Sequence, residues 1–149
     1  MGYVMRLEYR ESEMYTLLRW FLLIPGVILA WFAVFMLGLV THTFVEKNFC
    51  STEEMVSNFC INEQIQNWLM VLVHAFVALS AWVVILVAVA IAPGYKDKVL
   101  WVTLVLGLAV AAYLAYPIDA WSLFAVAAVS GIASAMLIAR HVLRTTTSD

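Results

Sequence analysis

Residues 65–92 read IQNWLMVLVHAFVALSAWVVILVAVAIA, 28 residues without one Asp, Glu, Lys or Arg. A hydrocarbon core about 30 Å thick is crossed by roughly 17 to 25 helical residues, so this run alone is long enough to span a bilayer. Pro93-Gly94 follows at once and ends it, because proline has no N–H to donate and its ring clashes with the preceding turn. Working outward, three further apolar runs of spanning length lie at Leu17–Val40, Val99–Tyr116 and Trp121–Ala139. Tyr116-Pro117 closes the third run, whereas Pro25-Gly26 falls inside the first and is expected to kink it. The sequence therefore predicts an all-α membrane protein of one domain, an antiparallel bundle of four transmembrane helices.

Composition agrees. The chain has 149 residues, 65% of them hydrophobic and 12% charged, and a mean hydropathy of +0.96. A small soluble domain still exposes roughly a third of its unfolded-chain surface, which this much apolar material does not allow, so the lipid bilayer is the expected surroundings. A net charge of −2 provides no basic field for nucleic acid.

Orientation is read from the basic residues near the helix ends. Arg6 and Arg10 precede the first run and Arg19 sits at its inner end, Lys96 and Lys98 join the second to the third, and Arg140 and Arg144 follow the fourth. Seven of the eight Lys and Arg thus fall on one side, with Lys47 alone on the other. That side is expected to be the cytoplasm, with both termini there, in a bacterial inner (plasma) membrane. Trp20, Tyr95 and Trp101 mark the inner boundary and Trp68, Tyr116 and Trp121 the outer one, as interfacial aromatic belts do. The first run is too long for a cleavable signal, and the leader before it is either an interfacial segment, with Val4, Leu7, Met14 and Leu18 on one helical face, or an ordinary polar tail.

The segment 42–64 is the expected outer loop. It carries Glu46, Glu53, Glu54 and Glu63 against Lys47, and repeats a tripeptide as Asn48-Phe49-Cys50 and Asn58-Phe59-Cys60. Both cysteines lie on the non-cytoplasmic side, where an even pair is expected to be a disulfide. A continuous helix from Cys50 to Cys60 would separate their Cα atoms by about 15 Å, whereas a disulfide needs less than about 7 Å. The chain is therefore expected to turn back near Ser57-Asn58, after a short helix that the capping-box spacing of Ser51 and Glu54 would start. A redox-active pair would call for a close Cys-x-x-Cys and a second cysteine pair, which this chain lacks.

Inside the membrane the chemistry is sparse. No Asp, Glu, Lys or Arg lies deep in any run, so a titratable relay has no material, and catalytic or metal-binding residues are not expected. His74 is the one deep ionisable group, on a helical face shared with Asn67 and Met70 and continued by Ala78 and Ala81. Its expected role is an interhelical hydrogen bond. With His42 at the outer end of the first run it offers, as an alternative, two ligands for a b-type haem, and with Met70 a soft-metal pair. Trp31 and Trp82 sit near mid-membrane, where a quinone pocket is the alternative to packing.

The clearest pattern is one of small residues. Gly107, Ala111 and Ala115 recur every four positions on the third run, as do Ala127, Gly131 and Ala135 on the fourth, beside Ser130 and Ser134. Small-xxx-small stripes let helix backbones approach closely, which is how helices associate where lipid removes the hydrophobic drive. The two stripes are expected to pack on each other or to receive a helix from a membrane-protein partner or a second copy. By elimination the expected function is a non-catalytic accessory or assembly subunit without a cofactor. A haem- or quinone-linked redox protein, and an oligomeric channel, transporter or lipid-handling protein, are the alternatives.

Overall fold

A computed structural model describes the backbone of residues 2–56 and 59–146, and the side chains of 13–51, 53–55 and 60–140. Four helices dominate: α1 (Gly2–Phe49), α2 (Glu63–Ile91), α3 (Lys96–Ala115) and α4 (Trp121–Thr146). Each contains a stretch long and apolar enough to cross a membrane, and Cys50 and Cys60 form a disulfide with Cα atoms 5.9 Å apart.

The breakers act where the sequence puts them. α2 stops at Ile91 before Pro93-Gly94. The chain then reverses at Tyr95, which takes the left-handed conformation at φ 51° just before α3 begins. α3 ends at Ala115, Tyr116–Ile118 form a 3-10 turn around Pro117, and Asp119 adopts φ 51° before α4. α1 by contrast runs unbroken through Pro25. It also differs from expectation at both ends. Helix continues from Gly2 into the apolar run, so the leader is an extension of α1 and not a separate segment, and it continues to Phe49, leaving a connection far shorter than 42–64. At about 1.5 Å per residue, its 48 residues reach about 72 Å, more than twice a hydrocarbon core.

The four helices do not share one core. Ile85 and Val89 of α2, Leu100 and Leu104 of α3, and Ala135 of α4 form a buried cluster, with Leu108, Ile138 and Ala139 against it. α2, α3 and α4 pack on one another, whereas α1 packs closely on α2 alone. The arrangement is thus three helices plus one. On α1 a third stripe, Gly26, Ala30, Val34 and Gly38, recurs at four-residue spacing, and its two glycines meet α2. A Cβ placed on Gly26 would meet Ile91 Cδ1 at 2.5 Å, and one on Gly38 would meet the Phe76 ring at 3.2 Å. The side chains of Ile91 and Phe76 on α2 therefore rest over Gly26 and Gly38, and the packing there depends on the absence of a side chain at both.

Candidate functional site

Three regions hold the residues that the sequence singles out: the connection bearing the disulfide, the histidines of α1 and α2, and the two glycine stripes of α3 and α4.

The connection is a small, fully knit cap. Strand β1 (Met55–Val56) pairs antiparallel with β2 (Phe59–Cys60), Met55 opposite Cys60 and Val56 opposite Phe59. The turn expected at Ser57-Asn58 lies outside the described residues. Cys60 is the anchor: it is 2% exposed. Its N–H donates to Glu46 Oε1 of α1 at 3.1 Å, and its carbonyl accepts from Gln66 Nε2 of α2. The disulfide and these two hydrogen bonds tie the end of α1 to the start of α2 at one residue.

The short helix expected after Ser51 is there, but the capping box is not. Ser51 precedes only a 3-10 turn, Thr52–Glu54, and makes no capping hydrogen bond with its side chain. The cap that operates is Asn62, whose Oδ1 accepts from the N–H groups of Gln64 and Ile65 at the start of α2. Its Nδ2 donates to the Glu54 carboxylate at 2.8 Å. Asn immediately before an apolar run is a start signal in its own right, so this residue was legible. Glu46 was not, because its partner is a backbone N–H fourteen residues on.

Of the histidines, His42 places Nδ1 3.9 Å from Glu46 Oε2 one turn along α1. His74 places Nδ1 2.7 Å from the carbonyl of Met70, on its own helix and not across an interface. Phe76 and Ile91 mark the side of α2 that meets α1, and His74 lies two residues, roughly 200° around the helix, from Phe76. The stripe that His74 begins continues through Ala78, whose carbonyl accepts from Ser130 Oγ of α4 at 2.8 Å. It continues further to Ala81 and Ile85, which lie near Gly131 of α4. His42 sits one turn beyond Gly38 on the stripe of α1 that faces α2. His42 therefore belongs to the stripe of α1 that packs on α2, and His74 to the stripe of α2 that continues toward α4.

Trp31 is 43% exposed and stacks on Phe35, ring centroids 5.6 Å apart, on α1. Trp82 is half-buried on α2. A shallow depression of about 320 Å³ is lined by Leu39, Val40, Thr43, Phe44, Lys47 and Asn48, all on α1, and is a gap between side chains of one helix. Among the described residues no group of three His, Cys, Asp or Glu is placed to hold a metal ion.

The glycine stripes, alike in sequence, are unlike in space. Gly131 is buried, and a Cβ on it would lie 3.3 Å from Leu104 Cδ1 of α3 and 3.9 Å from Ala81 Cβ of α2. Ala135 below it is fully buried. Gly107 is exposed and a Cβ there would meet nothing within 4 Å, although Ala115 at the far end of its stripe is buried. Comparison with protein-family models, with curated proteins and with solved structures found no match to this chain.

Proposed function

We propose that this chain is a non-catalytic accessory or assembly subunit of a larger membrane complex, working without a cofactor of its own. The observation that carries the reading is Gly107. α4 uses its small residues inside the molecule, whereas α3 turns a glycine outward at mid-helix, where it lowers helix propensity by about 1 kcal/mol relative to Ala and packs against nothing within the chain. A glycine kept on a lipid-facing surface is accounted for by a second helix lying close against it. The placement we favour is a bacterial inner membrane, with both termini cytoplasmic and the Cys50–Cys60 cap outside, for which the asymmetry of Lys and Arg is the support.

The test is affinity purification of tagged wild type and Gly107→Leu in mild detergent, followed by quantitative mass spectrometry. The expected result is one or more membrane proteins present in stoichiometric amount with wild type and depleted with the variant, both forms being equally folded. Recovery of wild type as a lone monomer would sink the subunit reading. Reporter fusions after Asp149, within Lys96–Lys98 and near Glu53 check the orientation: the first two should report cytoplasm and the third export.

A further inference from the structure

The bond between Cys50 and Cys60 joins two residues of unequal standing. Cys60 is 2% exposed, and its backbone is held by α1, by α2 and by the facing strand at once: its N–H donates to Glu46 Oε1, its carbonyl accepts from Gln66 Nε2, and it pairs with Met55. Cys50 stands just past the last residue of α1. It is partly exposed, between Phe49 and Ser51, which are both exposed. Its N–H continues the helical ladder to the carbonyl of Glu46 at 3.2 Å, and its sulfur lies 3.8 Å from the carbonyl of Glu54.

Thiol–disulfide exchange responds to such a difference. A thiolate attacks one sulfur of the pair, approaching from the side opposite the other, so the rate depends on which sulfur can be reached. An attacker bound for Cys60 meets a residue enclosed by the cap, and would first have to lift the ribbon from α1 and α2. An attacker bound for Cys50 meets the open end of a helix.

The cap also has ties that survive loss of the covalent bond. Besides those of Cys60, the N–H of Ile61 donates to the carbonyl of Glu54 at 2.9 Å, and Asn62 Nδ2 donates to the carboxylate of Glu54. None of these uses a sulfur. They keep the two cysteines, whose Cα atoms are 5.9 Å apart, within reach of each other in the dithiol state, where the S–H of Cys50 finds an acceptor in the Glu54 carbonyl.

We infer that Cys50 is the sulfur at which this cap exchanges with an external thiol–disulfide couple, and that Cys60 is the resolving sulfur. In opening, a thiolate of the couple attacks Cys50 Sγ. A new S–S bond forms there, the bond to Cys60 breaks, and the Cys60 sulfur leaves with the electron pair and takes up a proton. In closing, Cys60 gives up that proton, attacks Cys50 Sγ of the mixed disulfide and expels the external thiolate. The couple is a small thiol or the active-site dithiol of an oxidoreductase, which share this chemistry. The chain is the substrate of the exchange and not its catalyst, and the inference stands independently of the subunit reading.

The experiment uses wild type in mild detergent, held in a glutathione buffer and quenched early with acid. Free thiols are blocked at low pH, the chain is cleaved after glutamate so that Glu53 and Glu54 separate the cysteines, and the peptides are mapped by mass spectrometry. Glutathione should be found on Cys50 in at least about tenfold excess over Cys60, access being the gate. Cys60→Ala and Cys50→Ala then present each thiol alone, and Cys50 should react with a maleimide at least about tenfold faster than Cys60. A dithiol oxidoreductase stripped of its own resolving cysteine separates the sources. Its capture on Cys50 supports the assignment with a protein as the couple, and glutathione on Cys50 without such capture supports it with a small thiol.

Glutathione shared equally between the cysteines, or found chiefly on Cys60, overturns the inference. So does exchange that begins only as helical circular dichroism is lost, because neither sulfur is then reachable in the folded cap. Equal maleimide rates in two folded variants overturn it as well; if either variant fails to fold, the wild-type mapping decides.

Discussion

Gly107-Ala111-Ala115 and Ala127-Gly131-Ala135 are the same motif written twice, and the molecule treats them differently. The second is spent on internal packing: Gly131 lets α4 settle between Leu104 of α3 and Ala81 of α2. The first begins with a glycine that faces outward. Spacing reports that three residues share a face of a helix; it does not report what that face meets. In water the two questions have one answer, because the apolar face turns inward. In lipid they separate, since both faces are apolar and only close fit distinguishes them.

Substitutions can break the comparison in order of expected effect. Gly131→Leu comes first, because it drives a bulky side chain into a contact where even one Cβ would lie 3.3 Å from Leu104. The expected outcome is a destabilisation of about 1 to 3 kcal/mol, read as a lower unfolding temperature in detergent; an unchanged temperature would show α4 packed elsewhere. Next is Gly38→Leu, which tests whether the stripe of α1 belongs with the internal class. Its Cβ would lie 3.2 Å from the Phe76 ring, and a loss of about 1 kcal/mol is expected, less than for Gly131 because one helix can move away from a single neighbour.

Ser130→Ala is smaller still. It deletes the hydrogen bond from α4 to the Ala78 carbonyl, and an interhelical hydrogen bond in a membrane averages about 0.6 kcal/mol. Equilibrium unfolding in mixed micelles, which resolves differences of this size, would show a loss near that value. Gly107→Leu is expected to do least: within about 0.5 kcal/mol of wild type, as for a surface substitution that creates no clash. A large loss of stability there would place Gly107 against the chain's own helices and abolish the contrast with Gly131.

The parts of the fold that the sequence made legible are those set by covalent or steric rules that do not depend on solvent. Pro93 and Pro117 end α2 and α3 because no environment restores a missing N–H, and Cys50 with Cys60 had to fold back because a helix cannot bring them within bonding range. Where no such rule acts, the helix runs on beyond the apolar run. α1 continues to Phe49 and α4 to Thr146, since polarity in the sequence marks the end of an apolar run and not the end of the hydrogen-bond ladder.

The stripe of α1 was in plain view at residues 26, 30, 34 and 38, but Pro25 beside Gly26 drew the reading toward a kink. The side of α2 that carries His74 required Ser130 and Phe76 as landmarks. Neither could be inferred from periodicity, because the pairing of helices far apart in sequence leaves no local mark.

The separation between Ser130 and Ala78, 52 residues along the chain, has a consequence in time. α1, the cap and α2 are complete as a hairpin well before α4 is made. At about 5 to 20 residues per second of synthesis, the face of α2 that will meet α4 waits roughly 3 to 10 s for it. During that interval Ala78, Ala81 and Ile85 are covered by lipid or by whatever helix is nearest, and the arriving α4 must displace that occupant. A nascent chain halted after α3 would hold this half-built state for study, a hairpin with its second face still open.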